Sequence, residues 1–334
     1  MNWNKGYSSK YYMTIVDATT WRDVDRINII SGKISRTESG LRESADVKCR
    51  NFDPDGEKWV RLYIDATQSG EIAHTPIFTG LAVSPQTDID GVITEHPLQV
   101  YSVLKPAEDI RLLKGWYAPA EINGAEMVRM LLSVTPAPIR IDGISPTLTK
   151  AIVAEQNENN LTMADKILQV INWRIRIEGD GTIVLCPKAT EASAIFDAAE
   201  NDSIEPKLTR KRDWFNCPNV YTASQGDLVA AARDDDPNSP LSTVTRGREV
   251  HDGDDSPSLN SNEGIAEYAR RKLKEAQAVG ISYQYKRRYR PDLTVGDKVR
   301  LHYPKQNMDG VFLIKSQSIE IGYSAQTDEE VVGG

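Results

Sequence analysis

The densest oxygen ligands in this 334-residue chain lie in two clusters, Asp234-Asp235-Asp236 and Asp252-Gly253-Asp254-Asp255. A hard cation such as Ca²⁺ needs several oxygens at once, and a fold that joined the clusters would supply them. Neither has the alternating ligands and terminal Glu of an EF-hand loop, and their setting among Pro, Ser and Asn reads as a solvated loop. The histidines are His74, His96, His251 and His302, and none has a second His or Cys at metal-ligand spacing. His96, before Pro97, and His302, in an alternating run, read as strand-face residues. Cys49, Cys186 and Cys217 are widely spaced and odd in number, which argues against a disulfide framework, offers no zinc spacing and suits a reducing cytoplasm. No catalytic, cofactor-binding or metal-ligating residue is assigned from the sequence, and no cofactor is expected.

Other chemistries lose their markers too. The chain has no Walker-type glycine loop, no dinucleotide fingerprint and no serine elbow. A carboxylate pair for glycoside cleavage stays arguable, because 48 acidic residues always offer some pair. Asp53-Pro54-Asp55-Gly56 is a turn before it is anything catalytic. The formal net charge of −8 argues against a general affinity for nucleic-acid phosphates. Arg210-Lys211-Arg212 and Lys286-Arg287-Arg288-Tyr289-Arg290 are local basic exceptions. In the second, Tyr283, Tyr285 and Arg287 alternate with Gln284, Lys286 and Arg288, as in a strand with a solvated or subunit-contacting face, with a nucleic-acid site as the alternative.

The elements that would position these residues are mainly strands. The length favours two or three domains, and six Trp with thirteen Tyr suit pleated sheets. Strand-sized apolar runs recur at Tyr12–Val16, Arg26–Ile30, Ser44–Cys49, Lys58–Ile64, Pro76–Val83 and, after an Asp90-Gly91 turn, Val92–Thr94 and Leu98–Leu104. At Pro106 a short helix is expected, closing at Lys114-Gly115. A second helix has Asn123 as N-cap and Met127, Met130, Leu131 and Val134 on one stripe, and a third opens on Thr162 with Asp165, burying Ile167, Leu168 and Ile171. A hairpin follows, Trp173–Ile177 and Thr182–Leu185 about Gly179-Asp180-Gly181. After a strand at Asn219–Ala223, residues 233–255 read as a loop excursion, and Asn262 caps a helix burying Ile265, Tyr268, Ala269, Leu273 and Ala276.

The segment 290–322 closes this pattern. Val295-Gly296-Asp297-Lys298 turns into the run Val299, Leu301, Tyr303; Asp309-Gly310 then separates it from Phe312 and Ile314, and Ile319 and Ile321 return after Ser316-Gln317-Ser318. The expected fold class is α+β and β-rich: two antiparallel β-barrel-like domains with an α/β insertion domain. Its parts are a first barrel over 1–105, the insertion over 106–203, return strands and an acidic loop over 204–255, and a helix plus second barrel over 256–334. No signal-peptide core or bilayer-length apolar run is visible, so a soluble chain is expected.

The order of these parts, with Pro76-Ile77-Phe78-Thr79-Gly80, the hairpin 173–186, the helix 264–278 and the unit 291–318, resembles the tail-tip and baseplate hub proteins of bacteriophages, prophages and contractile injection systems. The resemblance implies a structural, non-enzymatic subunit: a homotrimeric ring that joins a sixfold tail tube to a threefold spike or tip fibre. Implied partners are the tube or distal tail protein, the spike or fibre and the tape-measure protein, with DNA met only in passage through an acidic lumen. The implied location is the virion tail, assembled in the bacterial host cytoplasm. Some relatives carry a hydrolase or host-binding extension after the hub, so that part is expected on another polypeptide or beyond Gly334. A cell-wall glycan hydrolase and a carbohydrate-binding adhesion module remain the alternatives.

Overall fold

The computed structural model describes residues 1–3, 5–86, 95–189, 195–199, 203–322 and 326–333, so the expected Asp90-Gly91 turn and Val92–Thr94 strand lie outside the described residues. The first seven strands are β1 (Ser8–Val16), β2 (Asp23–Ile27), β3 (Ile29–Thr37), β4 (Glu43–Arg50), β5 (Lys58–Gln68), β6 (Glu71–Val83) and β7 (Glu95–Ser102). Their side chains obey a period of two: in β4, Ala45, Val47 and Cys49 are buried while Ser44, Asp46 and Lys48 face solvent. All pairings among them are antiparallel, in the order β2-β1-β5-β6-β7-β4-β3, and Met13, Ile34, Leu62, Phe78 and Leu98 fill their core.

The next segment runs α1 (Lys105–Asp109), β8 (Tyr117–Ala118), α2 (Gly124–Leu132), β9 (Ile139–Ile141), β10 (Ile152–Val153), α3 (Asn160–Ile171), β11 (Trp173–Ile177) and β12 (Ile183–Pro187). Here α1 stops five residues short of Lys114, because Ile110 turns extended and Arg111 bridges to Asn159. Asn123 caps α2 as expected, accepting from the Glu126 amide at 3.0 Å. Its inward face differs from the expected stripe: Met127, Val128, Leu131 and Leu132 are buried, whereas Met130 and Val134 are exposed. The cap of α3 is Asn159, and Thr162 donates its amide to it, so the helix starts three residues earlier than expected. The β11–β12 hairpin forms as read, β9 adds a parallel strand, and the helices pack against this sheet around Leu132, Met163, Ile167 and Ile183.

Then come β13 (Ile195–Ala199), β14 (Ser203–Arg212), β15 (Val220–Gln225), β16 (Leu228–Arg233), α4 (Thr243–Arg246), β17 (His251–Asp255) and α5 (Ile265–Ala278). The stretch expected as a loop therefore contains α4 and β17, and β17 joins β15 in parallel to complete a three-stranded sheet. The buried face of α5, Tyr268, Ala269 and Leu273, packs on that sheet beside Tyr221, Ala223 and Ala232. Gly264, not Asn262, is its N-cap, and the Glu267 carboxylate reaches back to the Gly264 amide at 3.2 Å.

The chain ends in β18 (Ile281–Arg288), β19 (Lys298–Tyr303), β20 (Met308–Ile321) and β21 (Gln326–Gly333). Asp309-Gly310 is not the turn: it lies inside β20 opposite His302 and Leu301, and the reversal is Pro304–Gln306 with Asn307 left-handed at φ 50°. Nor does Ser316-Gln317-Ser318 break the strand. A bulge between Ile314 and Ser316 shifts the register within one fourteen-residue strand. One edge of β20 pairs first with β19 and then, from Ser316, with β3, while the other edge pairs with β21 from Phe312 to Glu320.

That long strand welds the two β-rich halves together. Among the described residues thirteen strands form one sheet, antiparallel except for β13 against β19. The protein is thus α+β and β-rich with large antiparallel pairings. Among the described residues, strand pairing does not close either half into a barrel.

Candidate functional site

Where β20 crosses between the halves, period-two geometry turns charged residues inward. Arg287 follows Tyr283 and Tyr285 on the buried phase of β18, Glu329 lies between Thr327 and Val331 on β21, and Arg36 follows Ile34 on β3. Arg287 donates Nε and Nη2 to Glu329 Oε2 and Oε1 at 2.7 and 2.6 Å. Tyr285 Oη and Gln317 Nε2 each donate to the same carboxylate at 2.7 Å. Burial alone would push Glu329 up, but the Arg287 charge and these hydrogen bonds outweigh it and hold the carboxyl below its usual range. A carboxylate with both oxygens so engaged has no lone pair free for proton transfer to a substrate, so it serves as an anchor.

Gln317 extends the network, accepting from Arg36 Nη1 at 3.5 Å, while Arg36 Nη2 donates to the Ile77 carbonyl. Arg36 Nε lies 3.4 Å from Glu43 Oε2. Burial pushes Glu43 up to about 7, against the lowering effect of Arg36. A carboxyl tuned near neutrality is a signature of acid–base sites. The cleft beside Glu43 holds only about 30 Å³, close to one water and far below a glycosyl unit. Above Gln317 and Glu329 a wider cleft of about 500 Å³ opens, walled by hydroxyl and charged side chains including Ser35, Thr209, Lys207 and Lys286.

A second set of contacts keys the α/β segment onto both β-rich halves. The tip of the β11–β12 hairpin lies on β6: Thr79 Oγ1 donates to the Gly179 carbonyl at 2.8 Å, and Trp21 Nε1 and Arg61 Nη2 donate to the Asp180 carbonyl at 3.0 and 2.9 Å. Arg42 pairs with Asp165 on α3. On the other side Arg174 donates to the Val295 carbonyl at 2.8 Å and to Asp297 at 3.1 Å, tight against Gly296, whose φ of +81° suits glycine.

No protein-family model and no curated protein sequence matches the chain. Solved structures do. A tail protein from Neisseria meningitidis MC58 superposes with a TM-score of 0.71 at 14% identity, over 98% of this chain and 97% of its own. The 43 kDa tail protein of prophage MuSo2 from Shewanella oneidensis gives 0.70 at 12% identity, over 98% of both chains. This chain has the fold of phage tail proteins. A type VI secretion system component from E. coli, itself structurally similar to the T4 bacteriophage tail proteins gp27 and gp5, gives 0.52 at 6% identity over 92% of this chain and 74% of its own.

Within this tail-protein fold the residues singled out from sequence have structural surroundings. Asp254 accepts from Tyr221 and Tyr268 at 2.6 and 2.5 Å, Asp234 from Ser239 and Gln277, and Asp235 from Arg233 and Thr243. Both clusters are thus hydrogen-bonded into turns and the edge strand β17, a correction to the solvated-loop reading. No group of three His, Cys, Asp or Glu side chains is gathered for a metal among the described residues. His74 and His302 sit on exposed strand faces beside Asp65 and Asp309, His251 lies beside Glu249, and His96 is buried near Asp53. The three cysteines are unpaired. The 286–290 cluster is not a uniform basic patch, because Arg287 and Arg290 point inward onto Glu329 and Asp292. Arg36, Glu43 and Glu329 were not singled out from sequence, and Gln317 was read only as part of a polar break between strands. Their signal is a charged or amide residue on the inward phase of an alternating strand, where only a paired group is tolerated. No described helix is long and apolar enough to cross a membrane.

Proposed function

We propose that the chain is the structural hub of a phage or phage-like tail tip or baseplate, forming a trimeric ring that joins the sixfold tube to the threefold spike or tip fibre. The observation that carries this reading is end-to-end coincidence: 98% of the chain superposes on nearly all of two tail proteins. The likeness to a secretion-system component, itself similar to gp27 and gp5, supports a place near the spike. In this reading the two β-rich halves act as barrel-like modules, so that three copies present six similar units to the tube. Ring closure needs heterologous contacts, each burying more than about 1,000 Å².

The accompanying division is 1–105, 106–203, 204–255 and 256–334, with α5 bridging the last two, since its chain runs into β18 while its apolar face rests on β15 and β16. The subunit is read as non-enzymatic, located in the virion tail and assembled in the bacterial host cytoplasm. Its partners are other copies, the tube or distal tail protein, the spike or fibre and the tape-measure protein, and the −8 net charge suits passage of DNA without retention. Imaging of the assembled particle tests the reading. Density for this chain in a threefold ring at the tube end is expected, and density elsewhere, or muralytic activity of the purified chain, overturns it.

A further inference from the structure

A cavity of about 380 Å³ lies between the hairpin base, α5 and the edge where β19, β20 and β21 meet, and none of the network residues Arg36, Gln317, Arg287 and Glu329 lines it. Six cationic side chains line it against two carboxylates, and four of the six are already engaged, Arg174 by Asp297, Arg271 by Glu263 and Glu275, Lys188 by Glu275 and Lys274 by a contact of its own, which leaves Lys298 and Lys315. Glu275 is already claimed by Arg271 and Lys188, at 3.2 and 3.4 Å, and Glu38 is exposed. At the inner wall Lys298 is only 6% exposed, and its ammonium has no hydrogen-bonding or ion-pairing partner among the described residues. Its sequence neighbour Asp297 is engaged by Arg174. Lys315 is the extra residue of the β20 bulge, the device that re-aims a side chain out of strand register, and it too lines the cavity. Arg174 adds a buried Nε without an acceptor. Between these cations the accessible wall is aliphatic, formed by Leu313, Ala278 and Val279.

Lys298 presents its charge at the cavity wall with no carboxylate of the described residues against it, so an anion entering the cavity meets an uncompensated ammonium there. We propose that the cavity is the docking site for an acidic peptide segment of another protein chain, placing a carboxylate against Lys298 and Lys315 and an aliphatic side chain against Leu313, Ala278 and Val279. Charge complementarity and the mixed wall select this occupant. The choice of a peptide over a free small anion rests on the reading of the chain as an assembly subunit.

The test is fluorescence anisotropy on the full chain with a labelled synthetic peptide of alternating Asp and Leu, its Asn-for-Asp counterpart, and inorganic phosphate and hexanoate as competitors. Expected are saturable binding of the acidic peptide, weakened about tenfold or more in Lys298→Met and in Lys315→Met, lost at high salt, and absent for the Asn peptide. Equal binding by both variants, equal binding of the Asn peptide, or no binding overturns the proposal. So does a site that takes phosphate or hexanoate but not the peptide. If Lys298→Met does not fold, the half-buried Lys315→Met decides by the same criterion. Subunit mass measured in parallel separates the two readings: a ring that ignores the peptide sinks this proposal alone, and a monomer with muralytic activity that binds the peptide sinks the hub alone.

Discussion

Arg287 and Glu329 meet as a two-pronged ion pair at 2.6 and 2.7 Å on adjacent strands of the junction sheet, with the two side chains 2% and 0% exposed. Removing one partner strands the other in a medium that solvates it poorly. Glu329→Ala is therefore expected to cost about 3–5 kcal/mol in denaturant unfolding. The paired replacement Arg287→Met with Glu329→Leu should recover part of that loss, because no uncompensated charge remains while the buried Tyr285 hydroxyl and Gln317 amide lose their acceptor. A single variant as stable as the wild type would show that the pair does not hold the junction.

Glu43 gives the same junction a pH dependence of opposite sense to Glu329. Its carboxyl is pushed up to about 7 in the folded chain, so the folded state holds a proton that the unfolded state has released. The Glu43 contribution to stability falls as pH rises from the ordinary carboxylate value to about 7 and is level above that. Glu329, held low, contributes stability above its unfolded value that is lost as pH falls through its folded one. Unfolding free energies between pH 5 and 8 should carry a downward component in the wild type, on the order of 3 kcal/mol across the window, that vanishes in Glu43→Gln. An unchanged slope in the variant would assign the dependence elsewhere.

Much of the fold was legible because local alternation and turn chemistry agree with the tertiary structure. The strands at Tyr12–Val16 and Ser44–Cys49, the Asn123 cap and the hairpin about Gly179-Asp180-Gly181 all appear as read. Errors cluster where a long-range partner overrides a local signal. Asp309-Gly310 reads as a hairpin turn, yet β19 pairs straight across it, and the reversal falls to Pro304–Gln306 and Asn307. Ser316-Gln317-Ser318 reads as a break because its polarity faces a polar junction, not solvent: Gln317 is buried against Glu329 and Arg36. The junction network was invisible for the same reason, since its members lie far apart in sequence and meet only when β20 bridges β3 and β21.

The helix at Asn160–Ile171 allows a direct test of one such override. Thr162 looks like the cap, but Asn159 accepts from its amide at 2.8 Å and its hydroxyl at 2.9 Å. Asn159→Ala should cost about 1 kcal/mol by thermal or denaturant unfolding. Thr162→Val, on an exposed position, should stay within about 0.5 kcal/mol. Equal costs would return the cap to Thr162.

Gly179 tests how the α/β segment is held to the rest. A β-carbon there would overlap the Pro76 carbonyl on β6, and the neighbouring Gly181, at φ +87°, already packs on Thr79 and Trp21. Neither side can yield easily, because Pro76 is in a paired strand and Trp21 is fixed by its hydrogen bond to the Asp180 carbonyl. Gly179→Ala should therefore lift the hairpin tip, at a cost of about 1–3 kcal/mol. The loss should be local: amide exchange is expected to rise across 173–187 while β18 to β21 stay protected. Gly6→Ala, whose added carbon meets only Arg288 Nη1 at an ordinary 3.8 Å, controls for the change of residue type. If Gly179→Ala left exchange in the hairpin at the wild-type level, the close approach of the tip to β6 would not be what anchors it.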